Sequence, residues 1–285
     1  MNRLLLLCFT ALPLFGAEEQ TLHSSLQGYY EHRIYTNSKQ KTDGKIYGIG
    51  GDIHYNKNEF RFNYEDGGAH TKKPPLNRDL QNKKIFLRYG YSPNKEWQFH
   101  INYLSVLDDN IAITSGGDGY GAGISYGPNR QFSFNATQYM VTYHDFRSYQ
   151  SDIKLEYKTH MKELKVKFSI LGKYIKLNQR HPNSFTRNAR NHYFTSGIKL
   201  HAHYKSYHCG AGAYFGKRVF AVMNDGFKLQ HHAMEFNRTY AVGVGKTFDK
   251  FVFRVQYIYN KASELPLNNT NVTIKNYRFI LNYKL

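Results

Sequence analysis

The stretch that decides the fold is residues 277–285, which read Tyr-Arg-Phe-Ile-Leu-Asn-Tyr-Lys-Leu. In a β-strand, successive side chains point to opposite faces. One face of a strand here carries five apolar or aromatic side chains, Tyr277, Phe279, Leu281, Tyr283 and Leu285. The other face is mainly polar and carries Arg278, Ile280, Asn282 and Lys284. The alternation predicts a two-faced strand that lies between an apolar environment and a wet one.

The start of the chain, residues 1–17, is typical of a secretory signal peptide. A basic start at Arg3 is followed by an apolar run, residues 4–16, of the length of a signal-peptide core. The run is too short to cross a bilayer as a helix. Cleavage is expected after Ala17, which leaves residues 18–285 as a single β-barrel domain.

The composition is aromatic-rich and strongly basic. The chain has 25 Tyr, 20 Phe, a formal net charge of +18 and a mean hydropathy of −0.63. Low hydropathy is compatible with a water-filled barrel, which needs apolar residues only on its outer face. The positive charge predicts an anionic partner. Because Cys8 is lost with the leader, Cys209 is the only mature cysteine, and no intramolecular disulfide is possible.

Period-two alternation recurs along the whole mature chain and predicts fourteen strands. They cover residues 22–35, 44–55, 60–65, 84–91, 96–107, 120–126, 131–143, 152–158, 164–173, 194–204, 207–215, 240–248, 251–259 and 277–285. In the seventh strand, apolar residues occur at both odd and even positions, which predicts a β-bulge that shifts the alternation by one residue. The connections alternate between seven longer and six short ones. Among the longer ones are residues 36–43, 66–82, 217–233 and 261–271, and a short loop near residues 144–148 takes one of these seven places.

The alternating connections, the leader and the C-terminal strand together resemble the fourteen-stranded monomeric porins of Gram-negative outer membranes. Outer-membrane barrels have short periplasmic turns, longer extracellular loops and an even strand number. The fold class is therefore predicted as all-β, a single transmembrane antiparallel β-barrel of about 14 strands (12 to 16). A secreted β-sandwich is the alternative.

The resemblance implies a channel for passive diffusion of small hydrophilic solutes, and the basic lumen favours anions. It implies an outer-membrane location, with outer-membrane lipids, lipopolysaccharide and the barrel assembly machinery as partners. No nucleic-acid partner and no cofactor are expected. A non-conducting adhesin, or a barrel that binds lipopolysaccharide or glycan through its basic loops, is the alternative function.

If the aromatic face contacts lipid, the opposite face lines a lumen. The basic residues predicted to line it are Arg33, Arg61, Lys84, Arg88, Lys154, Lys158, Lys165, Lys167, Lys173, Lys199, Arg254, Arg278 and Lys284. The acidic ones are Glu31, Asp52, Glu65, Glu96, Asp152 and Glu156. The basic excess predicts preference for anions. In the alternative arrangement, cross-strand ion pairs fill the lumen and nothing passes.

A group of three histidines, His201, His203 and His208, surrounds the predicted turn at Lys205 and Ser206. His203 is expected to face His208 across this hairpin, with His201 two residues further along the same face. Three roles stay open: solvated lumen side chains, a pH-sensitive gate, or a metal site. No metal site is predicted, because no carboxylate or cysteine completes the ligand set.

Signals for catalysis are weak. The only His and Ser that share a face and lie close in sequence are His23 and Ser25, and no third member of a hydrolytic triad can be assigned. The chain is therefore not predicted to be an enzyme.

Overall fold

The computed structural model describes residues 22–71, 78–109, 114–179 and 186–285. Fourteen of the strands in these ranges form one closed antiparallel barrel. They are β1 (Leu22–Thr36), β2 (Lys41–Tyr55), β3 (Asn58–Thr71), β4 (Leu80–Tyr91), β5 (Trp97–Asp109), β6 (Asp118–Tyr126), β7 (Phe132–Thr142), β8 (Phe146–Met161), β9 (Leu164–Gln179), β10 (His192–Tyr204), β11 (Tyr207–Arg218), β14 (Met234–Phe248), β15 (Phe251–Glu264) and β16 (Asn269–Lys284). Two short strands, β12 (Val222–Met223) and β13 (Lys228–Leu229), form a separate hairpin between β11 and β14. The predicted fourteen-stranded barrel is confirmed.

The barrel closes where the first strand pairs with the last. β1 and β16 are antiparallel and in register from Ser25↔Lys284 to Thr36↔Thr273. On its other side, β16 pairs with β15. The C-terminal stretch therefore has a hydrogen-bonded neighbour on both edges, and the sheet has no free edge there.

The outer surface of the barrel is apolar. Tyr277, Phe279 and Leu281 are 39–50% exposed. Each of the remaining barrel strands also carries at least one large apolar side chain that is exposed. The polar side chains between them point inward; Glu31 is fully buried. The predicted faces of the strands are therefore correct. No helix in the described ranges is long and apolar enough to span a membrane.

The strands reach further toward one end of the barrel than the sequence predicts. β3 extends to Thr71 and β8 begins at Phe146, so residues 66–71 and 146–148 are strand rather than loop. β15 and β16 likewise take up much of the predicted connection 261–271. Three of the longer connections thus shrink to residues 37–40, 143–145 and 265–268, and the contrast between long and short connections is weaker than predicted. The end with residues 219–233 is called the loop end here, and the end with both termini is called the turn end.

The bulge predicted in the seventh strand is wrong. β7 pairs with β6 and β8 without a register shift. Its apolar phase is mixed because Tyr139 and Val141 point inward, where they join an apolar cluster inside the barrel. Register shifts occur instead near the loop end, for example between Phe215 and Arg218 on β11.

Several inward glycines make room for an aromatic ring from the next strand. At Gly48 on β2, a Cβ atom would lie 2.0 Å from Cζ of Tyr29 on β1. The Tyr29 hydroxyl donates a hydrogen bond to Glu65 (2.6 Å), and Asn63 donates one to that hydroxyl (3.1 Å). The glycine therefore lets one ring lie flat on the wall and connect β1 to β3.

Replacement of Gly48 by Ala should lower the free energy of unfolding by about 1–3 kcal/mol, because the ring must leave a closely packed position. The measurement is reversible urea unfolding of the refolded barrel in lipid vesicles. Gly28→Ala is the matched control, since no atom lies within 4 Å of its added Cβ. Equal losses in the two variants would contradict the packing argument.

Candidate functional site

The connection between β11 and β14, residues 219–233, folds into the barrel. Val219, Phe220, Ala221 and Val222 are at most 1% exposed. This segment, called the inserted loop, packs on inward apolar side chains of the wall. They are Phe86, Leu104, Val106, Tyr139, Val141, Tyr143, Phe146, Ile175, Leu177, Tyr193, Tyr214 and Leu265. The loop end of the lumen on this side is therefore filled by an apolar cluster.

The hairpin inside the inserted loop is held by backbone contacts to the wall. The Gln150 side chain donates to the Val222 carbonyl (2.7 Å) and accepts from the Val222 amide (2.8 Å). Lys173 donates to the same carbonyl (3.2 Å) and pairs with Asp152. These contacts satisfy buried backbone groups that the apolar cluster could not.

At the tip of the inserted loop, Asp225 enters a basic environment. Lys154 Nζ lies 2.9 Å from Asp225 Oδ2, and Arg88 donates to the Asp225 carbonyl (3.4 Å). Burial alone would raise the pKa of Asp225, but Lys154 and Lys199 outweigh it and hold the pKa well below its ordinary value. The carboxylate therefore stays charged and favours insertion.

The other arm of the loop carries a cation into a charged network. Lys228 Nζ lies 3.7 Å from Oε2 of Glu31, a carboxylate that also pairs with Arg33 and Arg278. Burial lowers the pKa of Lys228 to about 7, and Arg278 and Arg33 act in the same direction against the attraction of Glu31. Glu31 thus already has two guanidinium partners before Lys228 arrives.

Below the inserted loop the lumen holds a cavity of about 1080 Å³. Ten of the thirteen basic residues predicted to line the lumen lie in the wall of this cavity: Arg33, Lys84, Lys154, Lys158, Lys165, Lys167, Lys199, Arg254, Arg278 and Lys284. The other three point inward but not into this cavity. Arg61 pairs with Glu59, Arg88 contacts the loop tip, and Lys173 lies beneath Val222.

The three histidines lie at the turn end. His203 pairs with His208 in the register, and their ring centroids are 4.2 Å apart. His203 Nε2 donates to the Lys205 carbonyl (2.5 Å), and His208 Nε2 hydrogen-bonds to Thr247 Oγ1 (2.6 Å). His201 lies one pair further from the turn, opposite Gly210. All three line the cavity.

Neither a metal centre nor a triad assembles from the candidates. In the part of the chain that the structure describes, no group of three or more His, Cys, Asp or Glu side chains could hold a metal ion. Ser25 Oγ donates to Asp52 Oδ1 (2.6 Å), and His23 lies opposite His54.

No protein-family model matches the chain, and no curated protein matches it either. Solved structures do. A bacterial polysaccharide outer membrane secretin aligns with a TM-score of 0.53 at 9% identity, covering 92% of this chain and 98% of that one. The Acinetobacter baumannii outer membrane protein Omp33 aligns with a TM-score of 0.51 at 7% identity, covering 92% and 99%. This is the fold of the Gram-negative outer-membrane β-barrels.

A further neighbour is Pseudomonas aeruginosa OccK8 (OprE), with a TM-score of 0.46 at 13% identity, covering 94% of this chain and 98% of that one. At such identities the likeness shows the fold alone. What the lumen of this outer-membrane-type barrel binds or passes therefore follows from the residues of this chain.

Sequence reasoning missed the inserted loop, which it treated as an ordinary connection, residues 217–233. One signal was available: residues 219–223, Val-Phe-Ala-Val-Met, form an apolar run unsuited to a solvated loop. A second signal was that the apolar side chains of Tyr139, Val141 and Ile175 lie on the inward faces of their strands. Apolar side chains in the lumen leave water only if another apolar segment covers them. Together they point to a segment that enters the barrel.

Acidification should weaken insertion of the loop. The lowered pKa of Lys228 means that its protonated form opposes insertion; this penalty is absent above the ordinary lysine pKa of about 10.4 and complete below about 7. The lowered pKa of Asp225 means that its contribution is present above about 4 and is lost at lower pH. Stability of the inserted state should therefore fall from about pH 10 to about pH 7, and again in strong acid.

The measurement is maleimide labelling of Val222→Cys in a Cys209→Ala background, compared with the same chain carrying Lys228→Gln. The ratio of the two labelling rates removes the intrinsic pH dependence of the thiol. The rate in the Lys228 chain divided by the rate in the Lys228→Gln chain should rise as pH falls from about 9 to about 7 and should level off below that. A flat ratio would show that Lys228 does not couple protonation to insertion.

Proposed function

We propose that this protein is an outer-membrane channel for passive diffusion of small anionic hydrophilic solutes. The observation that supports it most is the cavity wall, in which Lys158, Lys165 and Lys199 make no ion pair with any carboxylate of the described residues. Fixed positive charge in a narrow lumen with low-dielectric walls attracts anions and repels cations.

The inserted loop is the barrier on this route. Its apolar cluster fills one side of the loop end, and a second apolar cluster fills the other side. The second cluster consists of Tyr35, Ala69, Leu80, Met234, Ala262, Val272 and Ile274. Solutes pass only when the loop shifts, so the channel we propose is gated by residues 219–233.

Magnitudes indicate what holds the barrier closed. Complete burial of a Val or Phe side chain contributes about 1.5–3 kcal/mol. The Asp225 side chain is 47% exposed, so its pair with Lys154 contributes about 1 kcal/mol or less. The apolar residues therefore supply most of the closing free energy, and Asp225 positions the tip.

The location that we propose is the outer membrane of a Gram-negative bacterium, with both termini in the periplasm. The apolar outer surface supports contact with lipid, and residues 1–17, outside the described ranges, support export. Lipopolysaccharide and the barrel assembly machinery are the partners expected for such a barrel.

A non-conducting binding barrel is the second candidate, and the packed loop end favours it. In that case the basic loop residues carry the function. Arg187 and Arg190 lie beside the loop end; Lys72, Lys73 and Arg180 lie outside the described ranges. An adhesin or lipopolysaccharide-binding barrel would give no current in any variant.

Planar-bilayer recording of the refolded protein tests the proposal. The parent should give stepwise currents with a reversal potential shifted toward anions in a salt gradient. Asp225→Asn should increase the time spent open by up to about fivefold, since it removes about 1 kcal/mol from the closed state. Asp249→Asn, in the exposed turn between β14 and β15, is the charge-matched control and should leave gating unchanged.

Cation preference in an open pore would contradict the assignment of the basic wall. Absence of current in both the parent and Asp225→Asn would favour the binding barrel.

The histidines are proposed as a pH-sensitive element of the same pore. An ordinary imidazole has a pKa of about 6.5, so neighbouring imidazoles gain charge together on acidification and repel each other. Conductance should change below about pH 6 and lose this response when His201, His203 and His208 are all replaced by Gln. A gating response to pH that survives the triple replacement originates elsewhere.

A further inference from the structure

Six basic side chains lie in two rows across β8, β9 and β10 at the turn end. In the first row, Lys158 lies opposite Lys167, and Lys167 lies opposite His201. In the second row, His160 lies opposite Lys165, and Lys165 lies opposite His203. These six residues are called the basic patch, and all of them line the cavity.

Cross-strand neighbours in an antiparallel sheet have Cβ atoms about 4.5–5.5 Å apart, and like charges placed directly opposite each other are destabilising. The Lys158 and Lys167 pair is such a like-charge contact within the lumen. The only carboxylate among the described residues that relieves it is Glu156, 3.6 Å from Lys167. Glu163 at the rim pairs with Lys205 instead.

Part of the remaining wall pairs its inward cations. Among the described residues, six inward Lys and Arg side chains outside the patch lie within ion-pair distance of a carboxylate, whereas Arg88, Lys199, Arg254 and Lys284 do not. The pairs are Arg33 and Arg278 with Glu31, Arg61 with Glu59, Lys84 with Glu65, Lys154 with Asp225, and Lys173 with Asp152. In the patch, only Lys167 has a carboxylate partner among the described residues, and Lys158 and Lys165 are exposed to the cavity without one. An anion in the lumen therefore meets two unpaired ammonium groups there.

The lumen also leaves space beside the patch. The cavity extends to the neighbouring wall on β11 and β14, which presents Gly210, Gly212 and Gly243 to it. Arg254, on β15, also lines the cavity and pairs with no carboxylate of the described chain. A small anion that enters this cavity therefore meets the patch and a guanidinium within the same space.

We infer that the basic patch is a binding site for a polyvalent oxyanion of the phosphate class. Lysine ammonium groups are compact point charges that donate in several directions and bind phosphate oxygens in this way, whereas a guanidinium pairs with carboxylate and phosphate alike. The patch contains three lysines and no arginine. The inference deepens the proposed function and rests on it, because it names the class of anion that the channel concentrates at its turn end.

The test is isothermal titration calorimetry of the full-length mature chain in detergent, with pyrophosphate as the probe. The patch variant carries Lys158→Gln, Lys165→Gln and Lys167→Gln. The control variant carries Lys57→Gln, Lys95→Gln and Lys250→Gln, which remove the same charge from exposed turns at the same end of the barrel. The single replacement Lys165→Gln serves if the triple patch variant fails to fold.

The parent should bind one pyrophosphate, and the patch variant should bind it about tenfold or more weakly, since each partly exposed contact contributes up to about 1 kcal/mol. The control should stay within about twofold of the parent, and Lys165→Gln should fall between the parent and the patch variant. Citrate, a polycarboxylate of similar charge, should bind more weakly than pyrophosphate.

Equal losses in the patch and control variants would overturn the site in favour of general surface charge. Equal binding of citrate would overturn the phosphate class, and absence of saturable binding by the parent would overturn the site itself. These calorimetric readouts need no current, so they are independent of the bilayer recordings. Anion-selective currents without pyrophosphate binding would contradict the binding site and leave the channel standing. Saturable pyrophosphate binding without currents would contradict the channel and leave the binding site standing.

Discussion

The structure depends on the closure of the sheet between β1 and β16. A strand in an apolar environment cannot leave backbone donors and acceptors unpaired, and only a closed barrel removes every edge. Twelve consecutive pairs, from Ser25↔Lys284 to Thr36↔Thr273, provide that closure. Once the sheet is closed, each strand must turn its apolar face outward, and every polar side chain of the opposite face must find a partner within one lumen.

The lumen meets this demand in two different ways. Toward the loop end, inward side chains are apolar or form ion pairs, and the inserted loop supplies the partners that the wall lacks. Val222 bonds to Gln150, Asp225 to Lys154, and Lys228 reaches Glu31. Most of the free energy comes from burial of the apolar residues of the loop, whereas the charged contacts decide where its tip lies. Such a barrier is stabilised mainly by apolar contacts, and its charged contacts at Asp225 and Lys228 respond to pH.

Toward the turn end, the wall keeps some of its cations without a carboxylate partner among the described residues. Lysines on β8 and β9 lie opposite one another, and the cavity extends from them to the glycines of β11 and β14. The two features are complementary, because unpaired cations attract anions and the cavity gives them room. Like-charge contacts between cross-strand lysines lower the stability of this part of the wall, and such local costs are common at functional sites.

The amino-acid sequence by itself determined the number of strands, their two faces, the partnership of the last strand with the barrel and the inward direction of residues such as Lys154 and Lys199. These features follow from an alternation of period two, which is local and can be recognised without knowing any contact. It also placed His203 opposite His208, because a two-residue turn sets the register of a hairpin.

Only the tertiary structure decided the rest. It decided that β7 has no bulge, since Tyr139 points inward to meet residues of a loop some eighty positions later in the chain. It decided that residues 219–233 enter the lumen, and that Lys173 is paired whereas Lys158 is not. Each of these depends on which side chains meet across the barrel. The physical reason is that alternation along a strand assigns a side chain to a face, but its partner on that face is set by closure of the whole sheet.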